Sequence, residues 1–249
     1  MADKVAWITG ASTGIGHALA LRMARDGWTV AVSARSADAL EAMATESGGR
    51  IVAYPLDVTD EDASRAVAER IWAEQGGVDL AVLAAGLHLP LDGAAFEVEP
   101  FRRLMEINVM GVVHGLAGVV PRMVERGRGH IAVVSSVAGY RGLPTAAAYG
   151  ATKAALNNMT EALKFDLAPR GIKVQLVCPG FVRTPLTDKN PFPMPFLMEP
   201  EDAAEAFYRG LQGSAFEINF PKSFTTIMKQ IRKLPHGLYM AAIRRGTGL

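Results

Sequence analysis

From Val5 onward the chain alternates short, wholly apolar runs with stretches of helical periodicity, and a glycine-rich turn, Gly10-Ala11-Ser12-Thr13-Gly14-Ile15-Gly16, closes the first junction. Apolar runs without polar alternation are strands buried on both faces. Joined by helices, such strands lie parallel, because each crossover returns the chain to the same edge of the sheet. The pattern predicts strands at residues 5–9, 29–34, 51–56, 80–84, 131–135 and 174–178. It predicts helices over 15–25, ending at Gly27, from Ser36 as a possible cap, from the capping-box run Thr59-Asp60-Glu61-Asp62 to about Gln75, over 101–126, and over 149–167. Gly111, Gly115 and Gly118 in the long helix are expected to admit a close backbone. The fold class is α/β, a parallel sheet with helices on both faces.

Length and composition bound the rest. At 249 residues, with 49% apolar and 20% charged side chains, the chain reads as a single domain spanning residues 1–249. Its 26 basic and 25 acidic residues leave a net charge of +1, so no global field gathers nucleic acid. Cys178 is the one cysteine, which excludes an internal disulfide and suits a reducing compartment. His17, His88, His114, His130 and His236 show no metal-ligand spacing and read as core or surface histidines. Met1-Ala2-Asp3-Lys4 runs straight into strand pattern without a basic and then apolar leader. No run reaches the ~18 uninterrupted apolar residues of a membrane span. The expected location is the cytoplasm.

Three local patterns carry chemistry. Glycines in the first turn let a pyrophosphate approach backbone N–H groups at a helix N-terminus, whose dipole favours anions. Strand–helix turns also use glycine for steric reasons alone, so the loop gains meaning from its place after the first strand. The second strand ends in Ser33-Ala34-Arg35-Ser36, where a carboxylate would favour a free ribose 2′-hydroxyl and an arginine a 2′-phosphate. Arg35 can pair with that phosphate and Ser36 can hydrogen-bond it. The alternative is a solvated arginine, although a helix start is a poor place for an uncompensated cation. The expected cofactor is NADP rather than NAD. Finally, Tyr149 and Lys153 stand four apart on one helix face. A free phenol titrates near ~10, and a neighbouring ammonium lowers that value toward useful acid–base chemistry. Ser136 closes the fifth strand at the edge where ligands bind, and its hydroxyl can hold a substrate oxygen. Taken alone, the pair is equally a buried tyrosine beside a surface lysine.

Together, Thr9-Gly10-x-x-x-Gly14-x-Gly16, Asp57-Val58, Asn108, Ser136, Tyr149-x-x-x-Lys153 and Pro179-Gly180 occur in the order seen in short-chain dehydrogenases/reductases, which the chain resembles over about residues 5–185. The resemblance implies a Rossmann-type doubly wound parallel sheet and nicotinamide-dependent carbonyl–alcohol chemistry. By that likeness Tyr149 is the acid/base, and Lys153 binds the nicotinamide ribose and tunes Tyr149. Ser136 orients the substrate carbonyl, and Asn108 holds a water in the proton path. Asp57 and Val58 meet the adenine, while Val182 and Thr184 lie near the carboxamide end. Ser135 rivals Ser136, but the spacing to Tyr149 matches the family at Ser136. Where the family usually has Asn-Asn-Ala-Gly, this chain has Leu83-Ala84-Ala85-Gly86. Ala85 and Gly86 still allow a close backbone, without the asparagine hydrogen bonds.

Beyond Cys178 the pattern changes. Residues 179–200 are rich in proline and in large apolar groups, including Phe181, Phe192, Phe196 and Met198, and read as a substrate lid. Past Glu217 there is no acidic residue, while Lys222, Lys229, Arg232, Lys233, Arg244 and Arg245 are basic. Phe224, Ile227, Met228, Ile231 and Leu234 recur at helical spacing in this basic, partly helical segment 221–249. Such a helix either packs its stripe on the domain or lies on an anionic membrane surface. The expected partner is a small, hydrophobic carbonyl or alcohol. Gly150, Ala151, Ala154 and Ala155 mark a helix face suited to close packing in a homodimer or homotetramer. The alternative function is a non-catalytic NADP-binding sensor or scaffold, associated with a membrane surface through the basic segment.

Overall fold

The computed structural model describes residues 4–188 and 194–248, so Met1-Ala2-Asp3 and Phe192 of the expected lid lie outside the described residues. Within them, β1 (Val5–Thr9), β2 (Thr29–Ser33), β3 (Ile51–Ala53), β4 (Leu80–Leu83), β5 (Gly129–Val134), β6 (Ile172–Pro179) and β7 (Glu217–Phe220) form one parallel sheet. Its order is β3-β2-β1-β4-β5-β6-β7, the doubly wound arrangement expected for the fold class. The helices are α1 (Gly14–Arg25), α2 (Ala37–Glu46), α3 (Glu61–Gln75), α4 (Val98–Met105), α5 (Gly111–Arg126), α6 (Ala147–Leu167), α7 (Pro200–Gln212), α8 (Lys222–Ile231) and α9 (His236–Thr247).

Strand alternation assigns the two core layers. On β1, Ala6 and Ile8 face α1 and α7, where Leu19, Met23, Phe207 and Leu211 pack. Val5 and Trp7 face the other way, onto Val67, Ile71, Val112, Val119 and Leu156 of α3, α5 and α6. Every residue of β1 and β4 is buried, which explains their unbroken apolarity. β7 was not legible in this way. Ile218 and Phe220 pack into the core while Glu217 and Asn219 face a polar cluster, so it alternates as an edge strand does.

Several local expectations are corrected. The long helix starts at Val98 and is interrupted by a π-helical turn, Glu106–Met110, around buried Asn108. Added Cβ atoms on Gly111, Gly115 and Gly118 would meet the side chains of Val58, Leu83 and Ala68 at 2.7, 2.7 and 2.8 Å. The nearest neighbours of these glycines are therefore side chains, with the backbone oxygens of Val58 and Ser64 following at 3.5 Å from the added Cβ positions at Gly111 and Gly118. Ser36 occupies the N-cap of α2 but makes no capping hydrogen bond, whereas Asp60 caps α3 by accepting from Ala63 N at 2.9 Å. The rod 98–126 is long and apolar enough by composition to cross a membrane, yet Val112, Leu116, Val119 and Met123 bury it against the sheet and α3 as a core helix.

The basic segment forms α8 and α9. Phe224 and Met228 of its apolar stripe are buried with Val137, Tyr239 and Ile243, and Ile231 and Leu234 pack against that cluster. The stripe thus folds onto the domain. The arms of the proline-rich segment meet in a bridge between Val182 and Met198, with Arg183 paired to Glu199 at 2.9 Å.

Candidate active site

The chain leaves β1 toward one side of the sheet and β4 toward the other, opening a crevice at their carboxyl ends. A cavity of 1060 Å³ fills it. Gly10, Ser12, Thr13, Gly14, Ile15 and Gly16 form its floor, Arg35, Ser36, Asp57 and Val58 one end, and Ala85 and Gly86 its middle. Ser136, Tyr149, Lys153, Pro179, Gly180, Val182 and Thr184 form the opposite end. Of the residues singled out from the sequence, Asn108 alone stands outside this lining.

The turn after β1 is built for close approach. Gly10 has φ +71°, and a Cβ there would sit 2.7 Å from Ala85 Cα. Gly14 has φ +60°, and its Cβ would meet Thr184 Cγ2 at 2.8 Å. Any side chain at either position closes the cradle. Thr13 caps α1 without a side-chain hydrogen bond, and the first turn contains no acidic residue, so the helix presents its N–H groups and positive dipole end to the cavity. The missing asparagines are replaced locally: Thr9 Oγ1 accepts from Ala84 N at 3.1 Å and Ala85 N at 3.3 Å, holding the loop, while Leu83 fills the space beside Gly115.

Exposed Arg35, two residues past β2, is a cation in the cavity lining. Asp57 accepts from Thr59 N at 3.0 Å and Thr59 Oγ1 at 2.8 Å. The Thr59 backbone bond, helped by the Thr59 hydroxyl and by Arg35, holds its carboxyl below the ordinary range. Cavity, glycine cradle and open helix terminus together fit a dinucleotide.

At the other end the chemistry-bearing side chains converge. Ser136 follows β5 and caps a short 3₁₀ turn, accepting from Ala138 N at 3.1 Å. Its neighbour Ser135 also lines the cavity but is buried, with its hydroxyl donating to Lys153 O at 3.0 Å, whereas Ser136 is hydrogen-bonded with Tyr149. Burial pushes the Tyr149 phenol up to about 12, a hydrogen bond with Ser136 pulling the other way. Burial lowers Lys153 to about 8. The expected depression of the phenol by the ammonium is therefore absent here. Lys153 Nζ donates to Val134 O at 3.0 Å and stands 5.6 Å from the Tyr149 ring centroid, so desolvation dominates both groups.

Asn108 lies beneath the site. Its Oδ1 accepts from Leu87 N at 2.7 Å, and its Nδ2 donates to Leu87 O at 2.9 Å and Thr152 Oγ1 at 3.1 Å. The side-chain amide thus pins the loop after β4 to α6.

Sequence reasoning missed two features. His88, read as a core or surface histidine, packs edge-on against Tyr149 with ring centroids 4.6 Å apart. A second cavity of 290 Å³ opens beyond Ser136 and Tyr149 and is walled by α8 and α9. Only the apolar stripe on the tail hinted at it.

Comparison with known proteins follows the same lines. A family model described as short chain dehydrogenase matches residues 4–192. An uncharacterized oxidoreductase of Myxococcus xanthus is 40% identical over 248 residues, covering 98% of each chain. A solved short-chain dehydrogenase from Streptomyces avermitilis superposes with a TM-score of 0.83 at 29% identity over 92% of each chain. ElxO, solved with NADP bound, shares the fold, with a TM-score of 0.79 at 24% identity over 87% of this chain and 97% of its own.

Proposed function

The chain belongs to the short-chain dehydrogenase family of oxidoreductases, and from that premise we propose that it interconverts a hydrophobic carbonyl compound and its alcohol with NADP(H), using Tyr149 as the proton carrier. The convergence of Ser136, Tyr149 and Lys153 at one end of a dinucleotide-sized cavity carries this reading. When bound, the nicotinamide supplies or accepts hydride. The Ser136 hydroxyl orients the substrate oxygen, and Tyr149 gives that oxygen its proton on reduction or takes it back on oxidation. A phenol held at about 12 is protonated at neutral pH, the state required of the acid in reduction. Lys153, lodged between the end of β5 and Tyr149, is placed to hold a ribose hydroxyl and to turn toward the phenolate as charge develops. Arg35 and Ser36 favour the 2′-phosphorylated cofactor.

Tyr149→Phe provides the test. It keeps the ring that packs on His88 and removes the proton. NADPH-dependent reduction across a carbonyl panel is expected to fall by about 10²–10⁴-fold, with NADPH affinity retained by fluorescence titration. Unchanged turnover would mean that the proton travels by another route. A protein that only sensed cofactor would reduce no carbonyl in either form.

A further inference from the structure

Ser136, Tyr149 and Gly180 line both cavities, so the 290 Å³ chamber is where the rest of a substrate held at Tyr149 extends. Its walls are hydrocarbon, chiefly Phe181, Phe224, Ile227, Met228 and Ile243. No Lys, Arg, Asp or Glu is among the described residues lining it, although α8 and α9 carry Lys222, Lys229, Arg244 and Arg245. The cations are directed elsewhere. Lys229 pairs with Glu217 at 2.9 Å, and Arg232, just past α8, lies 5.0 Å from the Tyr140 ring. Of the other polar lining residues, Thr187 Oγ1 donates to Val182 O at 2.7 Å and Thr247 Oγ1 to Ile243 O at 2.9 Å, while His88 and Thr145 also line the chamber. A carboxylate or phosphate placed in this chamber would meet no Lys or Arg among the described residues lining it.

The far wall is set by one face of α9. Tyr239, Ala242, Ile243 and Gly246 share that face at helical spacing. Tyr239 anchors the helix by donating to Gly142 O at 2.7 Å, and Ile243 is buried in the cluster below. Ala242 and Gly246 line the chamber with almost no side chain, and a Cβ on Gly246 would meet nothing within 4 Å. Resting on the carbonyl–alcohol reading above, we infer that the substrate is uncharged and carries an apolar group of about ten non-hydrogen atoms, at ~30 Å³ each, that lies against Ala242 and the exposed Gly246 of α9.

The test compares nonan-2-one, butanone and 8-oxononanoate in NADPH oxidation by the wild-type protein, Gly246→Leu and Ala242→Leu. At about fourfold per buried methylene, nonan-2-one is expected to exceed butanone by at least ~100-fold in kcat/KM. It is expected to exceed 8-oxononanoate, which has the same chain ended by a carboxylate, by at least ~100-fold. Each variant fills the far end, so the preference for nonan-2-one over butanone is expected to shrink at least ~10-fold. Comparable use of 8-oxononanoate, or an undiminished preference in both variants, overturns the inference. If no ketone is consumed, the carbonyl reading fails on its own. Calorimetric binding of nonan-2-one then decides the chamber: binding weakened by Gly246→Leu supports it, and absent or unweakened binding overturns it.

Discussion

At the scale of single residues, Lys153 illustrates how function and stability oppose each other. It is buried, its Nζ rests on the Val134 carbonyl, and burial holds it at about 8 against an ordinary 10.5. The folded value lies below the unfolded one. Between about pH 8 and 10.5 the unfolded chain therefore binds a proton that the folded chain has released, and stability rises with pH there. Below pH 8 both states are charged and the fold bears the whole cost of enclosing the cation. Lys153→Met is expected to raise stability by about 1–3 kcal/mol at pH 7, after loss of the Val134 hydrogen bond. The gain should vanish toward pH 10.5 while NADPH-dependent turnover is lost, which urea melts at the two pH values and a rate assay will read. Arg35 invites the complementary measurement. Arg35→Ala is expected to weaken NADPH binding by about 10–100-fold, the worth of a charge-assisted pair, with little change for NADH. Equal losses for the two cofactors would show that Arg35 does not read the phosphate. The residues of the glycine turn, Arg35 and Asp57 were legible because they stand at the ends of predicted strands. His88 was not, because its relation to Tyr149 spans sixty residues of chain and leaves no local spacing to read.

At the scale of elements, strands buried on both faces announced themselves, while β7 hid because half its side chains are polar. That half has a purpose in packing. Glu217 accepts from Tyr140 Oη, from Asn219 Nδ2 at 3.0 Å, and pairs with Lys229, tying the Ser136 turn, the sheet edge and α8 together. The π-helical turn was equally hidden, since periodicity gives no sign of one extra residue per turn. Its cause is visible in the contacts of Asn108, which hold both backbone polar groups of Leu87. Asn108→Ala strands those groups and Thr152. A loss of about 2–3 kcal/mol in urea unfolding is expected, with a lower kcat as the Leu87–His88 segment beside Tyr149 loosens. A variant with wild-type stability would show that the pinning is dispensable.

At the scale of the whole molecule, the parallel sheet with helices on both faces followed from the alternation of elements, but the outer surface did not. Ala151 and Ala154 of α6 are exposed, as sequence reasoning about close packing requires, and Phe165 on the same helix is 82% exposed. Met105 and Met110, on the neighbouring α4 and π turn, are also exposed. A homodimer is the expected state in light scattering, and Ala154→Glu with Phe165→Glu is expected to give a folded monomer. A wild-type monomer at micromolar concentration would contradict this. The residues proposed for hydride and proton transfer all precede Pro185, whereas α8 and α9 supply much of the apolar chamber's wall. The proposed chemistry and much of the chamber's wall thus come from separate stretches of chain. A lineage can exchange its diet by rewriting two terminal helices, and anything fused or tethered behind them meets the selective end of the protein first.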